Sequence, residues 1–314
     1  MNETAIDTLG HGVGDTGLGS GPLPTRLPAT TRLGPVRLQV AELGRSVAYY
    51  GTVLGFEAKT LGEGTVSLSP SGADAPLVVL HERPGARPAA PRGRLGLFHF
   101  AILLPTREDL GSFLRHLSQL GERPGASDHL VSEALYLRDP DGLGIEVYRD
   151  RPRSDWETRS GELRMETAPM DVQSVLEAGV GAPWMGMPSG TAMGHLHLHV
   201  GELGEAEAFY HAALGLDVTT RSYPGALFLS VGGYHHHLGL NTWAGAVPPA
   251  GESEARLLEW RLELPERDDL SAARARLETA GYAAEPAGDE ALLTRDPWGT
   301  RLRLTLAGCA TADG

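Results

Sequence analysis

Histidines in two short runs are the first residues of this chain that suggest chemistry. They are His195, His197 and His199, which alternate, and His235, His236 and His237, which are consecutive. If residues 194–200 form a strand, its side chains alternate between two faces, and three imidazoles lie on one face. Imidazoles bind metals and exchange protons near neutral pH, so both runs are candidates for a site. The alternative for the second run is a His-rich turn with adventitious affinity for metals.

A single carboxylate, Glu146, stands in a stretch whose pattern predicts strand, tight turn, strand over residues 128–148. Apolar residues alternate on both sides of the turn at 139–142, where Pro and Gly suit a chain reversal. The hairpin makes Glu146 face the same interior as Tyr136. Taken alone, this pattern also fits a solvated Glu on an edge strand and a core tyrosine, so the rest of the chain has to decide.

The composition favours a folded protein that handles small molecules. The chain has 314 residues, of which 41% are hydrophobic, enough to bury a sizeable core in two domains. It carries 40 acidic and 27 basic residues, a formal net charge of -13. That charge disfavours nucleic acid or an anionic membrane as a partner.

Cysteine usage and hydropathy predict a cytoplasmic protein. Cys309 is the only cysteine, so an internal disulfide is excluded and a secreted disulfide scaffold is not indicated. We find no apolar run of about 18 residues and no signal-peptide pattern in the sequence. We therefore expect a reducing compartment and no membrane partner.

The hydrophobic pattern divides the chain into four parts. A Gly-, Thr- and Pro-rich stretch at 1–30 predicts a flexible tail. Residues 31–150 form an N-terminal half, 151–193 an irregular connector and 194–308 a C-terminal half. Within the N-terminal half, alternation and helical spacing predict two units of strand, helix and further strands, with the second helix from about Arg107 to Leu120.

The two halves repeat one another at nearly constant spacing. Six residues recur 160 positions on: Val40, Glu42, Leu43, Gly44, Leu54 and Gly55 as Val200, Glu202, Leu203, Gly204, Leu214 and Gly215. Another five do so from the second unit: Leu104, Pro105, Arg107, Asp109 and Leu110 as Leu264, Pro265, Arg267, Asp269 and Leu270. The Arg-Asp-Pro turn with its Gly at 138–142 recurs at 295–299. The chain therefore consists of four short units in two halves.

These units and three motifs resemble the vicinal oxygen chelate superfamily, in its catechol 2,3-dioxygenase-like branch, over about residues 33–306. The motifs are Gly-His-Leu-His-Leu-His-Val at 194–200, the His-rich stretch at 232–243, and Tyr-Leu-Arg-Asp-Pro-Asp-Gly at 136–142 followed by Glu146. The resemblance implies an α+β fold in which four βαβββ modules pair into two cup-shaped, half-barrel mixed sheets. It also implies a divalent metal held by two His and one Glu on first and last strands of the modules.

The resemblance places the first-strand ligand position at Pro35, His99, His195 and Glu259, and the last-strand carboxylate position at Glu146 and Arg303. Units three and four would offer Arg303, which has no lone pair for a cation. Units one and two would be one ligand short. Only units two and three supply a complete set, His99, His195 and Glu146. We therefore expect these two units to form the active cup, although His99, between two phenylalanines, also fits a hydrogen-bonded core histidine.

The same resemblance assigns roles to three further residues. The run 235–237 is expected on the last strand of the third unit. In that register His236 matches the pocket histidine that takes a proton from the catechol, although His235 and His237 remain open because the register is uncertain by one position. His129 matches the histidine that assists oxygen activation, and Tyr136 the tyrosine that hydrogen-bonds the substrate. Asp128, Glu133 and Asn241 are weaker candidates for orienting these groups.

The implied activity is an oxidoreductase of aromatic hydrocarbon catabolism: an extradiol dioxygenase that opens a catechol-type or hydroquinone-type ring with O2. The ligand set suits Fe(II), and Mn(II) is also possible. Two alternatives of the same fold are a metal-dependent glyoxalase-like isomerase or thiol transferase and a non-catalytic protein that sequesters a small molecule. A homodimer is expected only because dimers are the commonest oligomers. Trp184, Met187 and Trp243 are candidates for setting substrate preference.

Overall fold

The computed structural model describes residues 25–90 and 93–308, which contain all four predicted units. The first unit consists of β1 (Arg32–Leu33), β2 (Val36–Val40), α1 (Leu43–Thr52), β3 (Glu57–Gly62), β4 (Thr65–Ser69) and β5 (Val78–Glu82). The second consists of β6 (Gly96–Leu103), α2 (Arg107–Leu120), β7 (Gly125–Asp128), β8 (Ser132–Arg138) and β9 (Gly144–Asp150).

A connector separates these two units from the others. It contains a 3-10 turn (Arg153–Asp155), the hairpin strands β10 (Thr158–Arg159) and β11 (Glu162–Leu163), and α3 (Val172–Ala178). The third unit consists of β12 (Ala192–His199), α4 (Leu203–Glu207), a π-helical segment (Ala208–Ala213), β13 (Asp217–Thr220), β14 (Ala226–Ser230) and β15 (Leu238–Asn241). The fourth consists of β16 (Arg256–Leu264), α5 (Arg267–Thr279), β17 (Glu285–Pro286), β18 (Ala291–Arg295) and β19 (Arg301–Leu306).

Two curved mixed sheets join units from different halves of the chain. The inner-unit sheet combines the second and third units in the order β13-β14-β15-β12-β6-β9-β8-β7. The outer-unit sheet combines the fourth and first units in the order β17-β18-β19-β16-β2-β5-β4-β3, with β1 added on β16. At the centre of each sheet the first strands of two units run antiparallel, β6 beside β12 and β2 beside β16. The predicted α+β class with paired βαβββ modules is confirmed.

The second helix has the bounds that the sequence predicted, because strong local signals fix both ends. Thr106 and Asp109 form a capping box at its start. Gly121 ends it with φ 79°, a left-handed conformation that favours glycine. Buried apolar residues of α2 belong to one hydrophobic cluster with strand residues of both sheets, among them Leu196 and Leu198. The strand faces that carry these leucines are therefore fixed against the helices, and the opposite faces are left for a site.

Equivalent turns of the second and fourth units are braced by a buried tyrosine from the preceding unit. Asp139 accepts the hydroxyl of Tyr50 at 3.4 Å, and Asp296 accepts that of Tyr210 at 2.9 Å. Each aspartate also accepts two backbone N–H groups of its own turn. Burial raises the pKa of Asp139 to about 7 and also raises that of Asp296. Each of these two hydrogen bonds, which we call a tyrosine brace, joins the two units of one half and thereby links the two sheets.

Two expectations from the sequence need correction. The run 235–237 was predicted on the last strand of the third unit, but it lies in the irregular connection before β15, after a turn in which Gly232 and Gly233 both have positive φ. Residues 1–24 of the predicted flexible tail lie outside the described part of the chain. Residues 25–30 are not a free tail, because Leu27 is buried and its N–H donates to the carbonyl of Gly215. Within the described ranges, no helix is both long and apolar enough to cross a membrane.

Candidate active site

Three predicted ligand residues come together on the inner-unit sheet. Nε2 of His99 and Nε2 of His195 lie 3.0 and 3.1 Å from the same atom, Oε2 of Glu146. One ligand atom from each residue falls within 4.8 Å of the other two. All three side chains are buried, so the chain concentrates two imidazoles and a carboxylate at one point inside the protein.

Strand register brings these residues together across large sequence distances. In the parallel pair β6/β9, Glu146 lies opposite Ala101, two residues beyond His99 on the same face of β6. In the antiparallel pair β6/β12, Ala101 lies opposite His195. The three side chains therefore occupy neighbouring positions on three adjacent strands, β9, β6 and β12.

The surroundings of Glu146 and His99 favour a deprotonated carboxylate and a neutral imidazole, which are the protonation states of metal ligands. Burial alone would raise the pKa of Glu146, but the imidazoles of His195 and His99 outweigh it and hold that pKa well below its ordinary value. Burial also lowers the pKa of His99, although Glu146 partly opposes this. A carboxylate beside a neutral imidazole is the form that binds a divalent cation.

The residues present fit a divalent metal. Nε2 of His99 is buried and has no hydrogen-bond partner among the described residues, because its contact with Glu146 lacks hydrogen-bond geometry. A buried polar atom without a partner is costly and calls for an explanation. A cation bound between His99, His195 and Glu146 would satisfy it, and would use the carboxylate and both imidazoles at once.

The ligand cluster opens into a cavity of about 260 Å³, which we call the active-site cavity. Its polar lining, apart from the three ligand residues, includes Ser127, His129, Tyr136, Thr167, His197 and His236. Its apolar and aromatic lining comprises Phe98, Met165, Tyr223, Phe228 and Trp243. The cavity therefore has a polar side that contains the ligands and an aromatic side that suits a planar ring.

His129 and Tyr136 form a pair at the cavity wall with a defined direction of hydrogen bonding. Nδ1 of His129 lies 2.8 Å from the backbone carbonyl of Glu166, which can only accept, so Nδ1 carries the proton. In the neutral ring Nε2 then has the lone pair. The hydroxyl of Tyr136, at 2.6 Å, donates to it. Both predicted residues therefore face the cavity as a coupled pair.

His236 is the member of the run 235–237 that lines the active-site cavity. Its ring lies 4.2 Å from the ring of His195, centroid to centroid, and burial lowers its pKa well below the usual value. His235 is fully buried behind it, and Nδ1 of His237 accepts the backbone N–H of Val231 at 3.3 Å. The structure therefore brings one of the three candidates to the cavity.

His197 also lines the cavity, and a buried amide holds its ring. Asn241 places Nδ2 2.9 Å from Nε2 of His197 and Oδ1 2.7 Å from Nδ1 of His199. Gly239 makes room for the ring, since a Cβ there would lie 3.0 Å from its atoms. Asn241 therefore orients a cavity residue, as the sequence suggested, but the residue that it orients is His197.

Asp128 and Glu133, the other predicted orienting residues, serve a different purpose. Glu133 is buried and pairs with Arg107 and Arg149, each at 2.8 Å. Asp128 pairs with Arg151 at 2.5 Å. Guanidinium groups bind Glu133 and Oδ2 of Asp128, and Oδ1 of Asp128 accepts the backbone N–H of Leu130. Among the described residues, neither carboxylate therefore hydrogen-bonds to the side chain of His129 or Tyr136 in the way that the sequence suggested.

Comparison with known proteins identifies the family. Residues 32–147 and 192–304 match the family described as the Glyoxalase/Bleomycin resistance protein/Dioxygenase superfamily. The chain belongs to this superfamily. Each match covers two of the four units, in agreement with the internal repeat.

Relatives of this superfamily resemble the chain over most of its length. It is 41% identical to a protein of Bacillus subtilis named catechol-2,3-dioxygenase. The 277 aligned residues cover 87% of this chain and 96% of that protein. In fold it is similar to glyoxalase I of Zea mays, with a TM-score of 0.53, 16% identity, and coverage of 88% of this chain and 92% of the other. A second crystal structure, of a Bacillus subtilis protein, gives a TM-score of 0.60 at 13% identity and covers 90% and 86% of the two chains.

Several cavity residues of this superfamily member were not found from the sequence. Met165 and Thr167 come from the connector, which carries no motif, and Phe228 lies on β14 in an ordinary apolar run. Of the three residues suggested for substrate preference, only Trp243 lines the active-site cavity. Trp184 packs on Phe113 instead, and Met187 is fully buried. Neighbours of this kind are visible only when the fold brings them to the site.

Proposed function

We propose that the protein is a non-haem Fe(II)-dependent extradiol dioxygenase that cleaves a catechol-type ring with O2. The observation that supports this best is the buried cluster of two imidazoles and one carboxylate at the floor of an aromatic cavity. Such a set holds Fe(II) on one face and leaves positions for a chelating diol and for O2. Mn(II) would fit the same ligands. The 41% identity to a protein named catechol-2,3-dioxygenase points to the same activity.

We propose His99, His195 and Glu146 as the metal ligands. When bound, the metal would supply a template for the diol and a path for electrons between diol and O2. His236, on the cavity wall beside His195, would take a proton from the diol. Tyr136, whose hydroxyl proton is directed at His129, keeps lone pairs that can accept from the substrate.

The cavity lining favours a small diol without an anionic substituent. Among the described residues that line it, none is Arg or Lys. A carboxylate on the ring would therefore have to be desolvated without a cationic partner, which is costly. The volume of about 260 Å³ is slightly below the ~300–1,000 Å³ of pockets for drug-sized ligands, which suits one ring with short apolar substituents.

One observation favours the dioxygenase over a glyoxalase-like isomerase or thiol transferase. Such enzymes often add a second carboxylate to the metal-ligand set, and Gly239, which occupies the position of the third unit equivalent to Glu146, cannot supply one. Among the described lining residues Glu146 is the only carboxylate. A cytoplasmic location and a homodimer remain predictions from the sequence.

The test is anaerobic reconstitution with Fe(II), followed by catechol and air. We expect consumption of one O2 per catechol and a yellow ring-cleavage product, with methylcatechols turned over well and a carboxylated catechol at least 10-fold less efficiently. Reconstitution with Mn(II) in parallel decides the metal. No oxygen uptake with any catechol or hydroquinone would reject the proposal.

A further inference from the structure

A chain of hydrogen bonds leads from the active-site cavity to the protein surface through the third unit. Nδ1 of His236 lies 2.8 Å from Nδ1 of His235. Nε2 of His235 lies 2.9 Å from Oδ1 of Asp150, the last residue of β9. His235 is fully buried, whereas the Asp150 side chain is 26% exposed. The three side chains therefore form one line from cavity to solvent.

The acceptor at the outer end decides where the protons lie along this line. A carboxylate can only accept, so Nε2 of His235 donates to Asp150. In a neutral ring Nδ1 of His235 then has the lone pair, and the proton between the two rings belongs to Nδ1 of His236. Nε2 of His236 is left as the nitrogen with a free lone pair, on a ring that lines the cavity.

Packing around His235 keeps this arrangement in place. Its ring lies 5.3 Å from that of Trp156 and 4.0 Å from that of Tyr234. The hydroxyl of Tyr234 donates to the same Oδ1 of Asp150 at 3.1 Å. With rings on its sides and hydrogen bonds at both nitrogens, His235 has little freedom to turn. Asp150 thus acts on His236 through a rigid intermediary.

We propose that Asp150 and His235 are positioning residues that hold His236 in the tautomer with Nδ1 protonated and Nε2 unprotonated toward the cavity. Neither residue touches the site where a substrate would bind. The inference rests on the proposed function for its catalytic meaning, since Nε2 is then the atom that accepts the proton of the diol. The tautomer itself is a property of the protein alone.

The direct test is nuclear magnetic resonance on the metal-free full-length protein with 15N-labelled histidine. Long-range 1H–15N correlations distinguish the two neutral tautomers, and signals that disappear in His236→Gln assign the ring. We expect His236 protonated at Nδ1 in the wild type and predominantly at Nε2 in Asp150→Ala. An Nε2-protonated His236 in the wild type would overturn the proposal, as would an unchanged tautomer in Asp150→Ala.

Kinetics of the iron-loaded protein give the second test. We expect Asp150→Ala to lower kcat at least 10-fold, with KM for catechol within threefold and with iron content unchanged. Asp150→Asn should recover most of kcat, because its amide oxygen still accepts from Nε2 of His235. In the matched control His237→Asn, Oδ1 can replace the ring nitrogen that accepts from Val231, and kcat should stay within twofold.

A double variant decides whether Asp150 acts through His235. His235→Asn keeps an acceptor oxygen near Nδ1 of His236 and no longer depends on Asp150. In that background Asp150→Ala should change kcat less than twofold, whereas independent roles would give additive losses. If Asp150→Ala does not fold, a comparison of His235→Leu with His235→Asn tests the same point. Equal kcat values in these two variants would overturn the proposal. If no catechol is cleaved at all, the proposed function fails, but the tautomers still decide this inference.

Discussion

The inner-unit and outer-unit sheets share one architecture, and they differ in what stands at four equivalent positions. In the inner-unit sheet the first-strand positions are His99 and His195; in the outer-unit sheet they are Pro35 and Glu259. In every unit, the residue two places after this first-strand position pairs with one residue of the last strand, which we call the last-strand position. Those last-strand positions are Glu146 and Gly239 in the inner-unit sheet, and Arg303 and Val79 in the outer-unit sheet.

The difference lies in what each carboxylate has as a partner. Glu259 of the outer-unit sheet is buried and receives Nε of Arg303 at 2.6 Å and Nη2 at 3.1 Å, a bidentate pair that neutralises it. Glu146 instead contacts the imidazoles of His99 and His195, which have lone pairs to share. The same fold therefore buries a closed ion pair in one sheet and an open ligand set in the other.

The largest effect that this comparison predicts is on metal content. We expect Glu146→Ala, His99→Ala and His195→Ala each to lower iron affinity by more than ~100-fold, since each removes a ligand and second-shell changes alone cost 10- to 100-fold. Metal analysis after dialysis, together with oxygen uptake, measures this. The matched control is Glu259→Ala, which should keep its iron. Iron lost from Glu259→Ala and retained in Glu146→Ala would show that the outer-unit sheet holds the metal.

A smaller effect is expected on stability from the ion pair of the outer-unit sheet. Arg303→Ala leaves the buried carboxylate of Glu259 without its bidentate partner, which we expect to cost about 3 kcal/mol of unfolding free energy. Urea unfolding measures this, with iron content as the second readout. The double variant Glu259→Leu/Arg303→Leu should recover most of the loss, because both partners of the bidentate pair are then removed and Arg301, 3.9 Å from Glu259, is exposed to solvent. A loss in the double variant as large as that in Arg303→Ala would mean that packing, and not the charge, is responsible.

The sequence predicted those features that depend on local pattern and repetition. Helix α2 has its capping box and its terminal glycine in the chain itself, and the family resemblance placed His99 and His195 at the same first-strand position of two neighbouring units. The position of the run 235–237 was wrong because alternation alone does not reveal a turn with two glycines in the left-handed region. The contact of His235 with Asp150 spans 85 residues and rests on neither motif nor period, so only the packing of the third unit against β9 reveals it.

The smallest effect concerns the two tyrosine braces. In one brace the outer-unit sheet's first unit supplies the tyrosine, and in the other the inner-unit sheet's third unit supplies it. Tyr50, from the first unit, reaches Asp139 of the inner-unit sheet at 3.4 Å, whereas Tyr210, from the third unit, reaches Asp296 of the outer-unit sheet at 2.9 Å. We expect Tyr210→Phe to lower the unfolding free energy by about 1–2 kcal/mol and Tyr50→Phe by less, because a hydrogen bond at 3.4 Å is near its limit. Urea unfolding of the two variants under identical conditions tests the order. A larger loss of unfolding free energy in Tyr50→Phe would mean that the hydrogen bond to Asp139 is the stronger one, contrary to the two hydrogen-bond distances.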